Sequence, residues 1–294
     1  MKEVYINKDV TILTGEQAAR ALKQENDTLY VSANDGVVRV PVKRWQTAQH
    51  AEKIHWMKRG IGSIEDRNYY HETLFDNYQC LHGTRFERAI ELGCGPFTNL
   101  RIIGRTVDIG TCTLLDPLIN DYLNHPNCTY KENKLLLAKH LSRKTLVNMA
   151  LGKYMTKLYN FVRKSVNPAL EVEKLIACPV EQMPTDQKYD LVCIINVLEH
   201  CYDVDLVFAN TLKIMDCGTV FIFHDRYYIH DEVKNILAHQ YDAAHPLKVE
   251  RKRVDAFLAE NFDSLFNSVV HHEASSDGIE AEYDEFYFIG RRRS

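Results

Sequence analysis

The 294-residue chain has no long hydrophobic run. Even the apolar stretch LVCII at 191–195 is far shorter than the roughly 20 residues that a membrane-spanning helix needs. The first residues, MKEVYINKDV, mix charged and apolar side chains and lack the apolar core of a signal peptide. We therefore expect a globular, cytoplasmic protein without a transmembrane segment.

The sequence also lacks paired cysteines. Its eight cysteines contain no CxxC spacing, and several lie inside apolar, strand-like runs. Scattered thiols of this kind are typical of a reduced protein core and argue against a structural zinc site.

The chain also lacks a net positive charge, since its formal net charge is −4. This argues against general attraction to nucleic acid, which we regard as an unlikely partner. The charge is unevenly spread, however. Residues 131–174 contain ten Lys and Arg against three Asp and Glu, so the rest of the chain carries about eleven negative charges in excess.

The basic stretch belongs to a connection of nearly sixty residues, longer than an ordinary crossover. Apolar residues recur at roughly helical spacing over 134–166, which predicts a helical insertion at about 130–173. Its basic face has several interpretations: a solvated helix surface, a lid over an anionic acceptor, a contact in a homodimer, or a patch for peripheral membrane contact.

Two patterns precede the first central strand. Residues 28–42 contain two β-rich runs around Asn34-Asp35-Gly36, and such a turn predicts a hairpin. Apolar spacing predicts helices over 45–59 and 67–80. We predict an N-terminal β-hairpin and helical extension over residues 1–84.

From residue 85 onward, buried-type strands alternate with amphipathic helices, which predicts βαβ units and an open, doubly wound α/β sheet that is mostly parallel. The last two strand-like runs, 264–272 and 284–292, are expected to form an antiparallel pair. The remaining predicted strands are 88–92, 112–116, 174–178, 189–196 and 218–224, and the predicted helices are 97–106, 118–125, 203–215 and 252–262.

The motif AIELGCGPFTNL at 89–100 follows the first of these strands. Gly93 and Gly95 would let a polar ligand approach the backbone, but Thr98 stands where a dinucleotide-binding turn has its third glycine. Asp116 ends the next strand and is followed by Pro117. An acid there can accept hydrogen bonds from ribose hydroxyls or cap the following helix, and both roles can coexist.

In this order the motifs resemble the class I S-adenosylmethionine-dependent methyltransferases. IELGCG is similar to their first motif and LLDP to their second; residues 180–203 are similar to the region of their fourth strand, and IMDCGTVFIF to the turn and strand that follow. The resemblance covers about 87–225 and implies a seven-stranded-type sheet, S-adenosyl-L-methionine as the cofactor, and methyl transfer as the activity.

The resemblance also implies a cofactor site. Glu91 is expected beneath the methionine amino group, Gly93 and Gly95 beside the methionine and ribose, and Asp116 at the ribose. Cys178 and Pro179 replace the acid that commonly binds adenine, so backbone groups near residues 180 and 181 are expected there. Apart from the resemblance, Tyr69, Tyr70 and His71 in the helix before the first strand have two interpretations, a cover over the cofactor or an aromatic face packed in the core. The full predicted set is Glu91, Gly93, Cys94, Gly95, Asp116, Pro117, Val180, Glu181, Asn196 and Tyr70.

Catalytic groups are expected where strands end, since open α/β sheets place their sites there. His200 follows the fourth strand of the resemblance, and His224-Asp225 end the fifth. Histidine suits proton removal near neutral pH. We predict His224, His200 and Asp225 as catalytic residues and, without a diagnostic spacing, no metal ligands.

These patterns favour an enzyme that methylates oxygen or nitrogen of a small hydroxylated or amino metabolite. Two alternatives stay open. One is a macromolecular methyltransferase acting on lipid-linked glycan, protein or RNA; the other is a cofactor-binding subunit without catalysis.

The macromolecular alternative makes a prediction about the basic insertion. Neutralising Lys153, Lys157, Arg163 and Lys164 should abolish a strong, salt-dependent affinity for one such polymer, because counterion release drives that binding. Binding titrations between low and physiological salt measure this effect. Absence of any such binding in the wild-type chain would exclude this alternative.

Overall fold

The computed structural model describes the chain in separate stretches. They are residues 3–4, 13–14, 30–32, 36–58, 61–131, 134–136, 169–229, 244–272 and 283–294. Most of the basic insertion, including the four basic residues named above, lies outside the described residues. Where the predicted helical insertion at about 130–173 is described, Lys134–Leu136 and the residues from Ala169 form β-strands, so the helical prediction is wrong there.

The strands of the described residues differ greatly in length. In chain order they are β1 (Glu3–Val4), β2 (Leu13–Thr14), β3 (Tyr30–Ser32), β4 (Gly36–Arg39), β5 (Arg85–Leu92), β6 (Asp108–Leu115), β7 (Lys134–Leu136), β8 (Ala169–Ile176), β9 (Tyr189–Ile195), β10 (Met215–Tyr227), β11 (Lys248–Val249), β12 (Phe262–His272) and β13 (Tyr283–Arg292).

The main sheet has the order β12-β13-β10-β9-β5-β6-β8-β7. Its five central strands, β10, β9, β5, β6 and β8, are parallel. β13 runs antiparallel to β10 and β12 antiparallel to β13, while the short β7 adds an antiparallel strand at the opposite edge. The predicted doubly wound, mostly parallel sheet with an antiparallel C-terminal pair is therefore confirmed.

The alternation of side chains along β9 and β10 explains why these strands are almost continuously apolar. Val192, Ile194, Phe221 and Phe223 belong to one buried cluster, and the intervening residues 191, 193, 195, 220 and 222 belong to the other. Since successive side chains of a strand point to opposite faces, a sheet covered on both faces needs apolar residues at every position.

The helices are α1 (Val42–Met57), α2 (Ile61–Leu74), α3 (Leu100–Ile103), α4 (Ile119–Tyr122), α5 (Val204–Lys213) and α6 (Arg251–Asn261). The helices predicted at 45–59, 67–80, 97–106, 118–125, 203–215 and 252–262 each have a counterpart among them, but α2 begins and ends about six residues earlier than predicted. Asp76, Asn77 and Tyr78 have positive φ angles, which end the helix and lead into a 3₁₀ turn at Asp76–Leu81. Within the described part of the chain, no helix is both long and apolar enough to cross a membrane.

The N-terminal extension packs directly on the main domain. β3 and β4 form the antiparallel pair predicted from the Asp-Gly turn, and β11 extends it from the other side. Val37 and Val40 belong to a core cluster of the main sheet, and Val40 N donates to Tyr202 O over 2.9 Å. These contacts fix the start of α1, while the predicted boundary between residues 84 and 85 stays a prediction.

Asp203 joins the extension to α5. Its Oδ1 accepts hydrogen bonds from Asp205 N and Leu206 N at 3.0 and 3.2 Å, which caps the helix. Its Oδ2 lies 2.6 Å from Arg39 Nε. The Asp203 carboxylate therefore caps α5 and also forms an ion pair with Arg39, a few residues before α1.

We predict that Asp203→Ala lowers the free energy of unfolding by about 1 kcal/mol more than Asp203→Ser. A serine hydroxyl can still cap α5 but cannot pair with Arg39, so the difference between the two variants isolates the cap. Urea denaturation measures both. Equal midpoints for the two variants would contradict a capping role.

Candidate functional site

The glycine turn after β5 is held in a left-handed conformation. Gly93 and Gly95 have φ angles of +74° and +55°. Gly93 N and Cys94 N both donate to Leu115 O, at 2.7 and 3.0 Å, which ties the turn to the end of β6. A Cβ on Gly93 would lie 2.5 Å from both Cγ atoms of Val197. Conformation and space therefore both require glycine at position 93.

Asp116 links the same turn to the residues after β6. Its Oδ2 accepts from Gly95 N at 3.0 Å, and its Oδ1 accepts from Leu118 N at 2.8 Å. Burial raises the pKa of this carboxyl to about 6, against the opposing effect of the two backbone donors. Asp116 also lines the cleft described below, so it supports the turn and faces the ligand space at once.

Glu91 forms its hydrogen bonds with the residues that follow the glycine turn. Its carboxylate is buried and accepts hydrogen bonds from Thr98 Oγ1, from Asn99 N and Nδ2 at 3.0 Å each, and from Leu100 N at 3.3 Å. It does not line the cleft. Its described hydrogen bonds position Thr98 and Asn99, while its contact with the methionine amino group stays a prediction. Thr98, in the place of a third glycine, is one of its donors.

A cleft opens at the carboxyl ends of the parallel strands, the usual location of ligand sites in such sheets. It brings together most of the predicted cofactor residues and one predicted catalytic residue. These are Gly93, Cys94, Gly95, Asp116, Pro117, Val180, Glu181, Asn196 and His200.

One face of α1 covers this cleft, although none of its residues was predicted from the sequence to belong to the site. Trp45, Gln49, Glu52 and Trp56 all line the cleft. Their spacing of four, three and four residues places them on one side of a helix and includes both tryptophans of the chain. The two tryptophans at helical spacing were the sequence signal that could have identified this face of α1. α2 adds Asn68 and His71, of which only His71 was considered.

Hydrogen bonds fasten α1 to the turn that contains His200. Trp45 Nε1 and Gln49 Nε2 donate to His200 O at 3.1 and 3.2 Å. Trp56 Nε1 donates to Glu52 Oε2 at 2.7 Å, and the other carboxylate oxygen, Oε1, lies 3.7 Å from His200 Nδ1. The position of α1 over the cleft therefore depends on specific polar contacts as well as on packing.

Glu181 contributes a buried acceptor. Its Oε1 accepts from Tyr202 N and Asp203 N at 2.5 and 3.1 Å. Its Oε2 is buried and has no hydrogen-bond partner among the described residues. Burial raises the pKa of this carboxyl to about 6, while the backbone donors act in the opposite direction. An orphaned acceptor on the cleft wall suits a ligand that brings its own N–H or O–H donor.

A second, more charged cleft adjoins the first. Both clefts share Glu52, Trp56, Arg67, His71, Asn196 and His200 as lining residues. The second adds Tyr70, Glu199, Arg226, His245 and Glu285. Tyr70, predicted to bind the cofactor, lines this second cleft instead, where its hydroxyl donates to Glu285 Oε2 at 3.2 Å.

His224 and Asp225 line neither cleft. The His224 ring is fully buried against His71 and Tyr287, with centroids 4.4 and 4.3 Å apart, and burial lowers its pKa well below the usual range. Asp225 Oδ2 accepts from Val197 N at 3.1 Å and from Leu198 N. Their prediction as groups that touch the acceptor is therefore not supported; they hold the loop after β9.

His200 lies where the two clefts meet. Its Nδ1 is 3.2 Å from Ala244 O and 3.7 Å from Glu52 Oε1, and its Nε2 is 3.5 Å from Asn196 Nδ2. Burial lowers the pKa of the imidazole, with the carboxylate of Glu52 opposing the shift. Of the three predicted catalytic residues, His200 alone reaches the ligand space.

No protein-family model matches the chain, and no curated protein matches it by sequence. Among solved structures, the N-methyltransferase NodS from Bradyrhizobium japonicum, in complex with S-adenosylhomocysteine, aligns over 85% of this chain and 99% of its own, with 11% identity and a TM-score of 0.48. The 1,6-didemethyltoxoflavin-N1-methyltransferase from Burkholderia thailandensis, with bound 1,6-didemethyltoxoflavin and S-adenosylhomocysteine, aligns over 92% of this chain and 100% of its own, with 12% identity and a TM-score of 0.47.

The strand order of the main sheet, with its antiparallel C-terminal pair, is that of an open, doubly wound Rossmann-like sheet. The cleft lies at the carboxyl edge of this sheet, between the glycine turn, Asp116 and the loop after β9.

We predict that Gly93→Ala is more destabilising than Gly83→Ala, the matched control. Both glycines have left-handed φ angles, +74° and +76°, but a Cβ on Gly83 would meet no atom within 4 Å. Gly83→Ala should therefore cost about 1–2 kcal/mol of conformational strain alone. Gly93→Ala should cost about 1–3 kcal/mol more because it overpacks Val197. Equal losses in chemical denaturation would contradict the clash.

Proposed function

We propose that the protein is an S-adenosylmethionine-dependent methyltransferase acting on a small hydroxylated or amino molecule. The observation that carries the proposal is the cleft that a left-handed glycine turn, Asp116 and Glu181 line together. The adjoining cleft is lined by charged side chains, which favours a polar acceptor. It also shares α1 and α2 side chains with the first cleft, so a small acceptor there would lie next to the cofactor.

The residues present fit this cofactor. A Cβ on Gly95 would meet no atom within 4 Å, so the space beside the turn is open to a ligand. Each oxygen of Asp116 accepts one backbone hydrogen bond and keeps a lone pair, which suits ribose hydroxyls. Glu181 Oε2 suits an N–H donor of adenine. Glu91 would act through Thr98 and Asn99, whose positions it fixes.

The cofactor would supply an electrophilic methyl group bonded to a positively charged sulfur. For the acceptor, the chain must hold an oxygen or nitrogen next to that group and provide for its proton. The imidazole of His200, kept neutral by burial, lies between the two clefts and can accept a proton. Asn196, which has a left-handed φ of +58°, also lines both clefts, so its strained backbone places an amide beside both ligands.

Calorimetry with S-adenosylmethionine and S-adenosylhomocysteine, followed by transfer of a labelled methyl group to a panel of hydroxylated and amino compounds, tests the proposal. Binding of both cofactor forms and turnover of one compound class are expected. Failure of both cofactor forms to bind would overturn the proposal. Binding without transfer to any acceptor would favour the non-catalytic alternative.

We predict that the affinity for S-adenosylhomocysteine decreases as pH falls below about 6. The carboxyls of Asp116 and Glu181 both have pKa values raised to about 6, so below this pH the apo protein protonates them and loses ligand acceptors. Calorimetric titrations between pH 5 and 8 measure the decrease. Asp116→Asn and Glu181→Gln should each remove part of the pH dependence, and the double variant should remove it. An unchanged slope in the double variant would refute the assigned contacts.

A further inference from the structure

We propose that Glu52, His200 and His245 form a binding site for a divalent transition-metal ion, and that this ion binds a hydroxyl oxygen of the methyl acceptor. One ligand atom from each of the three side chains lies within 4.8 Å of the other two. The statement about the acceptor rests on the proposed methyltransferase function, whereas the metal site does not.

Three separate elements bring these residues together. Glu52 lies on α1, His200 ends a 3₁₀ turn at Leu198–His200, and His245 precedes β11. Glu52 Oε1 is 3.7 Å from His200 Nδ1, and the two imidazole rings have centroids 4.5 Å apart. Donor atoms that share an ion at about 2.1 Å lie roughly 3–4 Å apart, so the cluster is close to the size that coordination requires.

A buried carboxylate behind His245 provides a second, independent observation. Glu199 is 2% exposed, and its Oε1 lies 3.5 Å from His245 Nε2 without a hydrogen-bond partner among the described residues. Its Oε2 accepts from Tyr228 OH at 3.2 Å, which fixes its orientation. Metal-binding histidines commonly direct their second ring nitrogen at such a carboxylate.

The ligand types select a class of ion. Two imidazoles and one carboxylate suit first-row transition metals such as Fe²⁺, Co²⁺ or Zn²⁺, whereas Mg²⁺ and Ca²⁺ prefer oxygen ligands throughout. Three protein ligands also leave coordination positions for a small molecule. No metal ligands were predicted from the sequence for want of a diagnostic spacing, and Glu52 and His245 are indeed far apart in the chain.

The location of the cluster defines the acceptor chemistry. Glu52 and His200 line both clefts, and His245 lines only the second, so the ion would lie on the acceptor side, beside the cofactor cleft. A hydroxyl oxygen can coordinate the ion and lose its proton to water more easily. That oxygen then forms a bond to the methyl carbon while the carbon–sulfur bond breaks and sulfur keeps the electron pair. His200 thereby becomes a ligand rather than the proton acceptor.

Co²⁺ added alone to the metal-free protein tests the site, because its visible absorption responds to nitrogen ligands. We expect one ion per wild-type chain, and at least tenfold weaker binding by Glu52→Gln and by His245→Gln. His50→Gln is the matched control, since His50 lies exposed on α1 two residues before Glu52; its affinity should equal that of the wild type. Absence of a one-to-one absorbing complex, or wild-type affinity in both cluster variants, would overturn the metal site.

Two further measurements separate this inference from the proposed function. Calorimetry with S-adenosylhomocysteine in the presence of a chelator tests the cofactor site without the ion. Cobalt binding together with failure to bind the cofactor would refute the methyltransferase and leave the metal site intact; the opposite result would refute the metal site alone. Chelation should abolish methylation of hydroxyl acceptors, and Co²⁺ or Zn²⁺ should restore it. Turnover of hydroxyl acceptors that is unchanged by chelation would overturn the role of the ion.

Discussion

The hydrogen bond from Gly95 N to Asp116 Oδ2 is the contact on which the ligand site depends. It joins the ends of β5 and β6, which are already tied by two donors to Leu115 O. Only a left-handed turn can direct these three backbone N–H groups toward β6, and glycine adopts that conformation at little cost. The backbone of the glycine turn therefore shapes one part of the cleft, and side chains form the rest.

The side chains that complete it come largely from α1. This helix lies outside the alternating strands and helices, yet it contributes one polar and aromatic face to the cleft and is anchored on the carbonyl of His200. A helix that contacts the loop after β9 in this way connects the cofactor side to the acceptor side. Displacement of α1 would alter both clefts together, since Glu52 and Trp56 line each of them.

The sequence predicted the parts that follow from local periodicity. Continuous apolar runs such as β9 revealed the parallel sheet, and the GxG turn with Asp116 revealed where the ligand space lies. The orientation of side chains at strand ends was less accessible. The strand was expected to end at His224, but β10 continues to Tyr227, and the His224 ring packs against His71 of α2 and its cross-strand neighbour Tyr287 of β13. Successive side chains of a strand point to opposite faces of the sheet. Only tertiary packing decides which of these faces borders a ligand cleft.

The same limit explains why the cluster of Glu52, His200 and His245 could not be predicted from the sequence. Glu199 and His200 are neighbours in the chain, but the 3₁₀ turn sends their side chains to different partners. Glu199 is buried against Tyr228 and His245, and His200 faces Glu52 and Asn196. A motif can identify residues with a fixed local spacing. The cluster instead depends on α1 and the segment before β11 meeting at this turn, so its chemistry emerges only once the two clefts are assembled.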